Sequence, residues 1–215
     1  MAVYNKKDFL IHVDQIAPNG YKRQGEEPWY IKKLADRELR IYFFANKYYP
    51  HSVVIHGISA DICFYQVEEI YNEVLRSHPM EGQDSNEKSD TVGGAVLNVA
   101  AVDYALLDTH DVEDDASFNV VKPHLQLLVD AALQFFNDYA TLQNVFDYTE
   151  TLTIPQMAKF IHKPMPLRRM IIKKLVNDPN YGAYSQQIVN NTVTNYPGEL
   201  ANFSVALKDK LDSLG

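Results

Sequence analysis

The sequence predicts an α+β fold, with an N-terminal helix and an antiparallel sheet packed against a C-terminal helical bundle, in a single domain over residues 1–215. Three observations predict it. Apolar residues recur at every second position through Trp29–Asn46 and form a further β-like run from Val53 to Phe64. Through the last hundred or so residues they recur every third and fourth position, which is helical spacing. The two patterns are segregated, sheet-rich to about residue 107 and helical from about residue 116, rather than alternating as βαβ units do.

Asn5 suits a helix N-cap, with Asp8 at the third helical position. Phe9, Leu10, Val13, Ile16 and Ala17 then share a face, and Pro18-Asn19-Gly20 stops the helix. Trp29–Leu34 and Leu39–Asn46 alternate on either side of a polar turn at Asp36-Arg37-Glu38, which reads as an aromatic-rich hairpin ended by Pro50. With Phe43 turned inward, Tyr42 and Phe44 face the other way, where cover by the C-terminal helices is expected. In the third strand-like run, Gly57 marks a bulge or a close approach.

Val67, Ile70, Tyr71, Val74 and Leu75 restore helical spacing. Residues 81–91 are polar and turn-rich, the best internal break. The run 92–101 fits a buried strand or a helix, and Gly93-Gly94 favours strand or turn. Residues 108–117 read as a second acidic loop. Val121, Leu125, Leu128, Ala132, Phe135 and Tyr139 form the stripe of a central helix, with Pro123 expected in its first turn. Further helices follow around Leu142–Leu152, after Pro155, after Pro166, around Tyr181–Ile188 and over Leu200–Leu214.

The formal net charge of −8 is unevenly placed. Between Glu81 and Asp115 lie ten acids and one base, Lys88, while the remaining chain is nearly neutral. Such a balance disfavours non-specific nucleic-acid binding, which rests on neutralising phosphates with Lys and Arg. No stretch approaches the roughly 18 apolar residues of a membrane span. The N-terminus shows no apolar signal-peptide core, and the lone Cys63 forms no internal disulfide, so a cytoplasmic location is expected.

Within the acidic segment, Asp108, Asp111, Glu113, Asp114 and Asp115 are the candidate partner-binding residues. Clustered carboxylates steer a basic partner, hold a hard cation, or simply form a solvated loop in which Asp or Ser caps the next helix. The spacing lacks the glycine and alternating acids of a calcium loop. Lys159, Lys163, Arg168, Arg169, Lys173 and Lys174 form the opposite feature, either a grip for phosphate or an acidic partner or the wet side of an amphipathic helix. No nucleophile elbow, phosphate loop, dinucleotide fingerprint or zinc-ligand spacing is present. No cofactor and no metal are therefore expected, and no catalytic residue is assigned. Glu69 and Glu73, one turn apart, read as surface residues, and Cys63 as a buried thiol.

The step Gly20-Tyr21-Lys22-Arg23 before the first strands, and the junction carried by Phe136, Tyr139, Thr141 and Leu142, together resemble a bacterial domain family of small α+β proteins without established catalytic residues. Members carry a Gly-Phe-Lys-like step, where this chain has Tyr21, and an aromatic F-x-x-[FY]-x-[ST]-L junction. The likeness covers residues 9–148, and some relatives look like immunity proteins of toxin systems.

The expectation is thus a non-enzymatic binding protein, an immunity protein that neutralises a basic toxin through its acidic surface. One alternative is a small enzyme acting on a phosphate or sugar substrate, with His110 and nearby carboxylates in one pocket. The other is a structural protein that self-associates through its aromatic hairpin.

Overall fold

Asn5 begins the first helix, α1 (Lys6–Asp14), through a capping box: its side chain accepts from the Lys7 and Asp8 amides, and the Asp8 carboxylate accepts from the Asn5 amide. The computed structural model describes residues 4–86, 89–96 and 98–214. The first three residues, Glu87 and Lys88 of the acidic segment, and Leu97 of the glycine run lie outside the described residues.

Among the described residues, five strands follow, β1 (Lys22–Arg23), β2 (Trp29–Lys33), β3 (Arg37–Tyr48), β4 (Ser52–Phe64) and β5 (Val92–Val96), adjacent in that order in one antiparallel sheet. The predicted hairpin is β2–β3, in a register that places Trp29 opposite Tyr42 and Lys33 opposite Glu38. Its polar turn is short because Leu34 and Arg37 close it with a backbone hydrogen bond of 2.8 Å. The Gly93-Gly94 run is strand, as the glycines favoured. The two-residue β1 is too short to leave a periodic signal.

The chain divides into two compact units, each built from two separate stretches. The first comprises the chain up to Ile62 together with Gly94–Asp138. It holds α1, β1–β3, most of β4, α3 (Tyr104–Thr109) and α4 (Asp115–Asp138). Phe9, Val13, Ile41, Phe43, Leu125, Leu128 and Ala132 are buried in it. Burying one such large apolar side chain contributes about 1.5–3 kcal/mol.

β3 departs from simple alternation. Leu39, Ile41 and Phe43 are buried, but so are Glu38 and Arg40, which alternate with them. Those two charges satisfy each other, with Arg40 donating to Glu38 at 2.7 Å and lying over the Trp29 ring. Farther along, Phe44 and Tyr48 are exposed.

The structure corrects the expectation for Pro123, which stands well inside α4 rather than in its first turn. The helix begins earlier because Asp114 caps it: its carboxylate accepts from the Ser117 amide at 2.8 Å, and the Ser117 hydroxyl accepts from the Glu113 and Asp114 amides. Phe118 and Val121, both buried, belong to the stripe continued by Leu125 and Leu128, and that burial outweighs the hydrogen bond the proline removes. Residues 104–109, partly read as loop, form α3, capped by Asp103 through the Leu106 amide.

The second unit comprises Cys63–Gly93 and Tyr139–Gly215. It is mostly helical: α2 (Tyr65–Ser77), α5 (Leu142–Thr149), α6 (Ile154–Phe160), α7 (Met165–Leu175), α8 (Tyr181–Asn195) and α9 (Glu199–Asp212). α2 and α9 meet where Tyr71 packs on Phe203, ring centroids 5.0 Å apart. Cys63 is a buried free thiol. Among the described residues, no helix is long and apolar enough to cross a membrane.

Candidate functional site

The acidic segment belongs to both units, with Glu81, Asp84 and Asp90 in the second and Asp103 to Asp115 in the first. In the first unit, the chain between α3 and α4 is pinned to β4. Val112 and Val53 exchange backbone hydrogen bonds of 2.9 and 3.0 Å, and Ser52 donates its hydroxyl to Asp111 at 2.6 Å. One turn earlier, His56 Nδ1 donates to Asp108 at 3.0 Å. Asp108 and Asp111 are thus tied to β4.

Glu113, Asp114 and Asp115 have a different fate. They line an open cleft of about 330 Å³ together with Tyr4, Asp8, Ile11 and His12. Four carboxylates border this cleft, and no Lys or Arg is among its lining residues. Ile11 is 48% exposed, an apolar side chain among the acids. Asp114 stays ionised easily: the Ser117 amide and hydroxyl, followed by the Ala116 amide and His12, hold its carboxyl below the usual range.

The least expected residue of the cleft is His12. It is 4% exposed and lies flat against Phe118, with ring centroids 4.5 Å apart and the planes inclined by only 3°. Its Nε2 lies 2.8 Å from Asp115 Oδ1, and its Nδ1 lies 2.8 Å from the Tyr4 hydroxyl. An ionised carboxylate only accepts, so Nε2 carries the proton; in the neutral ring, Nδ1 then accepts from Tyr4. Burial above all, with Tyr49, Asp8 and Asp115 adding to it, raises the Tyr4 phenol well above its ordinary value. Tyr4 is therefore a neutral donor. The Asp115 side chain, by contrast, is 87% exposed. A sequence signal for His12 exists: it stands three residues after Phe9 and four before Ile16, on the buried face of α1.

His110 is not part of this cleft's lining. Its Nε2 donates to the Ser117 carbonyl at 3.0 Å, rather than to Asp108, Asp111 or Glu113. Nor do three donor atoms of the cleft gather within 4.8 Å of one another, as a cation site would ask.

The basic stretch lies in the second unit and serves its packing. Arg168 and Glu68, each 1% exposed as side chains, form a bidentate pair at 2.8 and 2.7 Å. Glu68 also accepts from Thr91, and Arg168 stacks over Tyr71 and donates to the Lys163 carbonyl. Burial, above all, pushes the Tyr71 phenol up to about 12. Lys173, also buried, bridges Asp178 at 2.7 Å and Glu150 at 3.1 Å, and Arg169 also holds Glu150. The predicted wet helix side thus includes two buried cations. Glu69 and Glu73 are exposed, and Glu73 pairs with Lys210.

Burial works against ionisation of Asp178 and Glu150, but the hydrogen bonds from Lys173 (and from Arg169 to Glu150) outweigh it and hold both carboxyls below the usual range. A depressed carboxyl stabilises the fold above its unfolded pKa and loses that contribution as pH falls through the folded value. Stability of the second unit is expected to fall below about pH 4, as read by urea midpoints across pH. Lys173→Met is expected to flatten that acid limb.

No family model, curated protein or solved structure matches the chain. The class is accordingly set by fold and site alone: an α+β protein whose sheet-bearing unit carries an acidic cleft around a buried histidine.

Proposed function

We propose that the protein is a binding module that docks a basic partner protein through the acidic cleft of its first unit. The observation that supports this most is the composition of the cleft. Asp8, Glu113, Asp114 and Asp115 face one opening with no Lys or Arg among its lining residues. Unbalanced like charges repel one another and destabilise the free protein, and a cationic partner relieves that repulsion. They also steer a basic surface to the site and speed its association. Exposed Ile11, which lines the same cleft, supplies an apolar contact for such an interface. The partner class proposed is a basic toxin, which the protein would neutralise as an immunity protein.

The test is the association rate of a basic nuclease with the wild type and with the triple variant Glu113→Gln, Asp114→Asn, Asp115→Asn. The variant keeps an Asn cap on α4, so folding is spared. The rate is expected to fall by about tenfold at low salt, and its dependence on ionic strength to flatten. Equal rates would refute the proposal.

A second proposal, self-association, is favoured by the hairpin, where Phe44 and Tyr48 are exposed and Tyr42 packs edge-on to Phe44. It predicts a scattering mass that rises with concentration and drops in Phe44→Ser. A mass that stays monomeric removes it.

A further inference from the structure

We propose that His12 makes the acidic cleft pH-responsive, so that a cationic side chain and a proton on His12 compete for Asp115. The inference rests on the acidic-cleft function proposed above and adds its regulation. Its basis is geometric: His12 is buried behind the cleft with Nε2 on Asp115, while the same carboxylate is open to the cleft.

Apart from the Tyr4 phenol, the titratable groups that line the cleft beside the histidine are carboxylates. From the chain before α1 comes the Tyr4 hydroxyl, and from α1 itself comes Asp8, one turn away. The start of α4 and the residues before it bring Glu113, Asp114 and Asp115. Phe118 covers the ring face and is uncharged, although Lys122 lies over the Phe118 ring. His12 is thus the one residue lining the cleft whose side chain becomes a cation on taking up a proton.

Two states follow. With a neutral ring, Nε2–H donates to Asp115, the Tyr4 hydroxyl donates to Nδ1, and the cleft keeps its full negative charge. With a proton added at Nδ1, the Tyr4 oxygen turns to accept, and the imidazolium forms an ion pair with Asp115. In both states the two ring nitrogens keep their partners, Nδ1 with the Tyr4 hydroxyl and Nε2 with Asp115. The change is in charge. The protonated cleft has one unit less negative charge, located on the carboxylate that a guanidinium or ammonium would meet. Linkage is reciprocal, so an occupying cation must in turn drive the proton off His12.

The probe is a fluorescent oligo-arginine peptide, and binding to the full chain is followed between about pH 8 and about pH 5.5 at fixed ionic strength. Affinity is expected to fall by about fivefold toward the acid end. In His12→Gln that pH dependence is expected to vanish. Because this variant alters a buried residue, a second measurement uses the wild type alone: the NMR titration of the His12 imidazole, with and without peptide. The peptide is expected to lower the titration midpoint. Peptide that binds equally at all pH values, or a midpoint that does not move while peptide is bound, would overturn the inference and leave the acidic-cleft function standing. Failure of the peptide to bind at about pH 8 would remove that function, and the inference with it.

Discussion

Replacing Arg168 with methionine is expected to destabilise the second unit by about 3–5 kcal/mol, because it leaves Glu68 buried and charged with Thr91 as its remaining partner among the described residues. Desolvating a carboxylate is costly, and in the native fold a bidentate guanidinium offsets that cost. The pair does not owe its place to a large net gain. Removing both charges at once, with Glu68→Leu and Arg168→Met, is expected to restore most of the loss, since an apolar pair of similar size has no charge to desolvate. Urea unfolding of the two single variants and the double variant forms the cycle. A double variant as unstable as the sum of the singles would show that Arg168 acts through its packing over Tyr71 and its bond to the Lys163 carbonyl instead.

Phe118→Ala is expected to cost about 3–5 kcal/mol in the first unit and to disturb the cleft as well. Phe118 is 1% exposed, close to the start of α4, and its ring is the surface against which His12 lies. Truncation leaves a cavity beside the imidazole and frees the ring to turn away from Asp115. The double consequence separates this site from ordinary core positions. Phe43→Ala is expected to cost a similar amount without altering the His12 titration, since Phe43 packs against Tyr30 on the sheet. Thermal unfolding combined with the imidazole NMR signal distinguishes the two.

The elements that were legible in the sequence are those with strong period and clean boundaries. Asn5 and Asp8 announced the α1 capping box, and the alternation through Trp29–Asn46 announced the β2–β3 hairpin. The Leu and Phe spacing of the last helix matched the buried Phe203, Leu207 and Leu211. Pro123 was misleading because local proline preference competes with a long buried stripe, and the stripe prevails. Arg168 and Lys173 were hidden for a similar reason. A charge pattern along one helix shows which residues share a face. It does not show that Glu68, a hundred positions away, buries a cation there.

The candidate site was half legible. The run from Asp108 to Asp115 stood out by composition, but composition could not separate Asp108 and Asp111, held by His56 and Ser52, from the three residues that open into the cleft. Asp8, Ile11 and His12 join those three only through tertiary packing of α1 beside the start of α4. His110 attracted notice because it is next to Asp111 in sequence, yet its ring turns to the Ser117 carbonyl.

The most direct test of the central claim is to map where a cationic ligand binds. An oligo-arginine peptide titrated into isotopically labelled protein at low salt is predicted to shift the amide signals of Asp8, Ile11, His12, Glu113, Asp114 and Asp115 together, with one saturation curve. Shifts concentrated instead on Glu81, Asp84 and Asp90, or spread without saturation over all the acidic residues, would contradict the assignment of this cleft as the docking site.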